Sequence, residues 1–320
     1  MFRVSGCELK AQNYNPELET WDPKPFIMDL SILISIALIG LATAMLLFLI
    51  SSGLTLVFGV LGVINFAHGS LYMLGAYLAY SALTLLQPVF GSFWITLIIA
   101  SLGVALIGWL IEAFILKRIY KTEEIYQILL TFSLVMIIDG LVKMVWGLDP
   151  KSISEPNFLS GSWMILGIPF PVYALFIICA GIGLSFFLWY FVNRTKFGKF
   201  IRAASSDRDM LNSLGVNVPF IFTGVFTLGS WLAALGGVLA SPLRVVNPEM
   251  GVSIIIESFA VVVIGGLGNL QGAFLGSLLI GLIDSFGLYF LPRFSMAFIY
   301  ILMAVVLLIK PTGFFGTEET

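Results

Sequence analysis

Charge is what this sequence has least of. Only 11% of its 320 residues are Asp, Glu, Lys or Arg, while 59% are hydrophobic; a soluble domain carries roughly 25% charged residues. Too little charge remains to cover a water-facing surface of this size, which excludes a soluble enzyme and a soluble nucleic-acid binder. From residue 30 to residue 111, 82 positions pass without one of these four residues. A bilayer crossing takes about 20 apolar residues, so that run alone holds roughly two or three of them. The net charge of −2 gives no attraction for a polyanion, so no nucleic-acid partner is expected. Two cysteines, Cys7 and Cys179, are too few for a disulfide framework and are not spaced as metal ligands. A single histidine, His68, can build neither a catalytic triad nor a metal cluster. Gly-x-x-x-x-Gly-Lys-Ser/Thr is absent, so the chain cannot cradle ATP phosphates in that way. No enzymatic chemistry, no cofactor and no metal are expected of this polypeptide itself.

What is present is a series of long apolar stretches punctuated by charge. They lie near 30–51, 62–86, 93–116, 124–146, 171–193, 217–241, 254–268, 271–291 and 295–310. Residues 30–64 are too long for one upright crossing and short for two, with possible breaks at Ser51-Ser52-Gly53, Gly59 or Gly62. The expected fold is therefore an all-α polytopic membrane protein of eight or nine transmembrane helices, one or two of them broken. The expected domains are a polar N-terminal extension at 1–29, a membrane domain at 30–316 and a short tail at 317–320. Nine of the sixteen basic residues fall on one face when the spans are counted off: Lys117, Arg118, Lys121, Arg194, Lys196, Lys199, Arg202, Arg208 and Lys310. The positive-inside rule makes that face cytoplasmic. Lys143, Lys151, Arg244 and Arg293 go to the other. Span parity places the N-terminus outside, or inside if 30–64 crosses twice.

Two Gly-rich segments resemble each other, one from Gly62 through Asn65, His68 and Gly69 to Gly75, the other from Gly265 through Gly266, Gly268, Asn269 and Gly272 to Gly276. Paired interruptions of this kind point to a pathway built from broken helices. Asn65, His68 and Gly69, with Gly265, Gly266 and Gly268, are the candidates for its lining. A structural reading stands beside each. His68 and Asn65 can satisfy backbone groups freed at a helix break, and Gly272-x-x-x-Gly276 can serve close helix packing.

Ionisable groups inside spans are functional candidates by default. Glu112 has Lys117 nearby and Asp139 has Lys143 one turn on, so salt bridges account for both. Glu257 and Asp284 flank the second Gly-rich segment and are the candidates for a gate or an interface. The loop 194–217 is the remaining landmark. Ala203, Met210, Leu211 and Leu214 can share one helix face, with Asp207 and Arg208 at its solvent edge and Gly215 closing the helix. Such a helix packs either on a partner or on lipid headgroups.

This loop resembles the G-x-x-x-R-A-x-x-x-D…L-G-I/V segment of the permeases in branched-chain amino-acid ABC importers, through Gly198, Arg202, Ala203, Asp207, Leu214 and Gly215. Three further motifs agree in order: Gly53 to Gly59 leading into Asn65-Phe66-Ala67-His68-Gly69 and Met73 to Tyr77, then Phe259 to Gly276, then Lys310-Pro311-Thr312-Gly313 to Gly316. The resemblance spans residues 40–316 and is to the LivH-type permease subunit. The polar leader and Gln271, where Pro is common, depart from the pattern. The resemblance implies a multi-pass protein of the bacterial inner membrane that lacks catalysis of its own. It implies two ATPase subunits as partners, seated on the coupling loop 194–217. It also implies a second permease subunit of LivM type and a periplasmic substrate-binding protein that sets most of the selectivity. The substrate class would be branched-chain or related small amino acids, with urea and amides within the family's range. The alternative is an ion-coupled secondary carrier or facilitator for a small polar solute, working through Glu257 or Asp284.

Overall fold

The computed structural model describes residues 30–86, 92–120, 122–165 and 167–316. The expected extension at 1–29, the tail at 317–320 and Lys121 lie outside the described residues. Eleven α-helices are described: α1 Leu30–Leu61, α2 His68–Leu86, α3 Ser92–Phe114, α4 Glu124–Trp146, α5 Val172–Arg194, α6 Lys196–Ser206, α7 Arg208–Ser213, α8 Val218–Ala240, α9 Met250–Gly265, α10 Leu270–Phe290 and α11 Ser295–Ile309. Seven are long and apolar enough to cross a membrane, and the shorter apolar α9 and α11 bring the number to nine among the described residues. The expected all-α membrane bundle is what forms. Between α4 and α5 it also carries a small antiparallel hairpin, β1 Ser162–Ile165 with β2 Ile168–Pro171.

The ambiguous run 30–64 resolves into one helix. Its 32 residues rise about 48 Å at 1.5 Å each, well beyond a hydrocarbon core of about 30 Å. Ser51-Ser52-Gly53 does not break it. Ser52 Oγ donates back to the Leu49 carbonyl at 2.9 Å. The bare face of Gly53 is where α8 and His68 come closest: a Cβ there would lie 2.8 Å from the Gly229 carbonyl oxygen. The helix stops instead at Gly62, whose φ of +67° an L side chain rarely adopts. Residues 62–67 then run without helix until α2 begins at His68.

Around α1 stand α8, α10, α5 and α9, while α8 also packs on α2 and α3. Small residues make these close crossings possible in a bundle where lipid supplies no hydrophobic drive. Gly281 faces Ala44, Gly75 faces Ala234 and Gly237 faces the Tyr72 carbonyl. The buried cluster runs through Met45, Leu49, Leu71, Tyr77, Tyr173, Ala234 and Ile280. By contrast α3, α4 and α5 leave large apolar side chains open, among them Ile98, Leu129, Met136, Ile182 and Phe186. These are the faces expected to meet lipid.

The two ends of the bundle differ in charge. The end of α1 meets the α5–α8 loop where Ser205 Oγ donates to the Gly59 carbonyl at 2.7 Å, and the start of α4 where Thr131 Oγ1 donates to the Ile64 carbonyl at 3.3 Å. Lys117, Arg118, Arg194, Lys196, Lys199, Arg202, Arg208 and Lys310 gather at this basic end. At the far end the α4–α5 and α8–α9 connections are stitched together by a bridge between Lys151 and Val246.

Candidate functional site

The basic-end loop is built from two helices, not the single one expected. Thr195 caps α6 by accepting from the Gly198 amide at 3.0 Å. Asp207, extended at φ −152°, ends α6 and caps α7, its Oδ1 accepting from the Met210 amide at 2.8 Å. A carboxylate that close to the first free amides of a following helix favours a new start over continuation. The bend redistributes the expected face. Gly198, Ile201, Ala204 and Leu211 turn inward, Ala203 is half-buried, and Met210 and Leu214 are exposed. Gly198 is buried because it lies against the Val192 carbonyl, which also accepts from the Arg202 guanidinium. Gly215, at φ +80°, closes α7 as expected, donating to the Asn212 carbonyl at 3.0 Å. Phe200, Met210 and Leu214 thus stand open to solvent among lysines and arginines, Leu214 at 70% exposure.

The first Gly-rich segment interrupts the helical run between α1 and α2, the second is the tight turn between α9 and α10, and the end of α1 lies against that turn. A Cβ on Gly59 would sit 3.0 Å from Gly268 Cα. Each break is capped by an asparagine: Asn65 Oδ1 accepts from Ala67 N at 3.1 Å, and Asn269 Oδ1 accepts from Gln271 N and Gly272 N at 2.9 and 3.0 Å. His68 is fully buried with Nε2 3.0 Å from the Ile50 carbonyl. Gly69 lies against the Gly251 carbonyl, and Gly265 against Gly272. Gly266 and Gly268 take φ of +102° and +79°. The C-terminal segment closes on the second break, Phe314 N donating to the Ile264 carbonyl at 2.9 Å and Phe315 N to that of Gly265 at 3.0 Å. In this conformation none of these six candidates lines the two cavities described next.

Those cavities open toward the far end. One of about 200 Å³ is lined by Tyr72, Arg244, Asn247, Glu249, Met250 and Ser253. The other, about 340 Å³, is lined by Ser253, Glu257 and Asp284 with Ile256, Leu288 and Ile299. The two gate candidates flagged by the sequence therefore share one cavity wall. Sequence reasoning missed Tyr72 and left Arg244 as an ordinary outer-face cation. Nothing in the sequence sets Arg244 apart from Lys143, Lys151 and Arg293, the other cations assigned to that face. Arg244 is exposed on the cavity wall; partial withdrawal from bulk water works against its charge, and the nearby Tyr72, Glu257 and Asp284 outweigh that and raise its pKa.

The remaining ionisable pairs divide. Asp139 and Lys143 form the expected ion pair at 2.6 Å. The buried Glu112 does not pair with Lys117; the Tyr120 hydroxyl donates to its Oε1 at 2.8 Å. Lys117 belongs to a 3₁₀ turn just past the end of α3 and is exposed, whereas Tyr120 turns back over the helix end. Among the described residues no group of three or more His, Cys, Asp or Glu could hold a metal.

A bundle of crossing helices with two capped breaks, a basic-end loop helix pair and charged cavities at the far end defines a polytopic membrane permease. Residues 36–307 match the family described as the permease component of the branched-chain amino acid transport system, and the chain belongs to that family. Over 290 residues it is 30% identical to the high-affinity branched-chain amino acid transport system permease protein BraD of Pseudomonas aeruginosa, covering 88% of this chain and 94% of that one. It is 26% identical to the corresponding LivH of Escherichia coli over 85% of this chain and 91% of that one. A probable branched-chain amino acid transport permease protein LivH of Methanocaldococcus jannaschii is 30% identical, with 85% and 89% covered. Membership favours the importer permease over the ion-coupled carrier.

Proposed function

We propose that this chain is the membrane-spanning subunit of an ABC importer for branched-chain or related small amino acids. ATP hydrolysis is assigned to two partner ATPase subunits, delivery to a periplasmic substrate-binding protein, and the other half of the membrane domain to a LivM-type permease in the inner membrane. The names of the similar permeases support the substrate class. The observation that carries the coupling role is the exposed apolar trio Phe200, Met210 and Leu214 at the basic end. Open apolar side chains at a strongly charged, water-facing end of a bundle mark a protein contact. The basic end is then cytoplasmic, and α6 and α7 are the elements the ATPases push. Asn65, His68, Gly69, Gly265, Gly266 and Gly268 act at the breaks, which separate or close as the bundle rocks between its two access states.

Removing the cap with D207A, or forcing a side chain into the left-handed position with G215V, is expected to lower ATPase co-purification and ATP-dependent leucine uptake together. D207N, which retains an accepting oxygen, keeps most of both. Unchanged association and unchanged uptake in D207A and G215V would remove this loop from the coupling role.

A further inference from the structure

The importer reading leaves selectivity to a separate binding protein and gives the far-end charges no task. We propose that the two cavities between α2, α9, α10 and α11 form one station for an aliphatic α-amino acid zwitterion, Arg244 taking its carboxylate and Glu257 with Asp284 its ammonium. The inference rests on the importer reading and adds a recognition site within the permease itself.

Three features of the site carry it. First, the cavities adjoin, since Ser253 lines both. Second, opposite charges line the two adjoining cavities without touching, Arg244 the smaller and Glu257 with Asp284 the larger. Arg244 interacts electrostatically with Glu257 and Asp284, yet among the described residues the ion pair in direct contact is Lys143–Asp139 alone. Charges within a membrane protein are costly unless paired. A cation on one cavity and two carboxylates on the adjoining one are completed by a ligand that spans both and carries the two complementary charges, whereas a closed salt bridge would have filled the space between. Glu249 shares the wall of the smaller cavity with Arg244, and both side chains are exposed there. Third, the lining matches the rest of such a ligand. Ile256, Leu288 and Ile299 give the larger cavity an aliphatic wall beside its carboxylates. Tyr72 is 2% exposed and lines the smaller cavity with Arg244, where its hydroxyl can support a bound carboxylate. A sugar would want a dense set of neutral donors and acceptors, and a bare cation would have no use for Arg244.

The test uses the assembled transporter with S253C as a reporter in a C7S/C179S background, reacted with a charged methanethiosulfonate. Leucine is expected to slow labelling, while isopentylamine, 4-methylpentanoate and ribose leave it unchanged. R244Q and E257Q/D284N are expected to weaken the protecting affinity of leucine roughly tenfold or more, as the loss of a charge-assisted pair does. A wild-type labelling rate without leucine shows that these variants are folded. Labelling indifferent to leucine, protection that survives R244Q at full strength, or protection by Na⁺ alone would each overturn the station. ATP-driven leucine uptake by the wild-type assembly separates the two readings. Uptake without protection removes the station and leaves the importer, and protection without ATP-driven uptake does the reverse.

Discussion

The crossing of α9 and α10 can be tested with a single methyl group. At Gly272 an added Cβ would meet the carbonyl carbon of Gly265 at 2.6 Å, where comfortable carbon contacts lie at about 3.5–4.0 Å. The obstacle is backbone on both sides, so no side chain can swing away and the helices must part by roughly 1 Å. Overpacking of this kind costs about 1–3 kcal/mol, and rigid neighbours put it near the top of that range. Alanine returns about 1 kcal/mol through its better helix propensity. G272A should therefore lose about 1–2 kcal/mol net, or about 3–6 °C in the thermal unfolding of the purified protein. G140A is the matched control: on α4, nothing lies within 4 Å of its would-be Cβ, so only the propensity gain of up to about 1 kcal/mol applies. If G272A melts with or above the wild type while G140A behaves as stated, the crossing is looser than drawn and Gly272 is not there for packing.

Y120F strips the buried Glu112 of its donor and should cost about 1–3 kcal/mol, the penalty of an unsatisfied buried acceptor; E112Q/Y120F, compared by thermal melting, should cost less than Y120F alone. Burial, and then the adjacent Glu112 carboxylate, push the Tyr120 phenol well above its ordinary pKa. A raised folded pKa means its stabilisation is full below the unfolded value near 10 and falls as pH climbs past it, so wild-type melting temperature should drop above about pH 10 more steeply than that of Y120F. N269A removes the Oδ1 that accepts two cap hydrogen bonds and the 3.2 Å bond its Nδ2 donates to the Phe315 carbonyl. It should cost about 1–2 kcal/mol and speed proteolysis of the C-terminal segment; an unchanged cleavage rate would mean that segment is held by other contacts.

Apolar periodicity and charge spacing made the bundle legible because lipid leaves the chain few alternatives, each crossing having to satisfy its own backbone. The extent of α1 was harder to read. Ser-Ser-Gly is a breaker by local preference, but Ser52 bonds its own helix and Gly53 is held by α8, so tertiary packing overrides propensity there. The kink at Asp207 was legible in principle: Ser-Asp-Arg-Asp carries a cap residue in mid-pattern, and the single face drawn through it grouped Leu211, which packs inward, with Met210 and Leu214, which stay exposed. Glu112 went to the nearer charge in sequence, although the hydroxyl eight residues on is the one whose chain folds back to it. Arg244 could be recognised only in three dimensions, since Tyr72, Ser253, Glu257 and Asp284 reach it from three different helices.

The unbroken α1 joins what happens at the two ends. At the basic end Ser205 grips the Gly59 carbonyl, Arg208 lies beside Gly62 and over the Phe222 ring at 5.5 Å, and Gly59 abuts Gly268 of the second break. A displacement of α6 and α7 is thus delivered to the end of α1 and to the α9–α10 turn together. Toward the far end the same helix meets α10 where Ala44 faces Gly281, an approach with no side chain to absorb movement. Asp284 lies one turn beyond Gly281 on α10. Sliding α1 against α10 therefore shifts Asp284 relative to Arg244, which belongs to the separate α8–α9 connection. Under the proposed reading, ATPase closure at one end changes the charge spacing at the other, and a zwitterion held by both charges is bound in one state and released in the next.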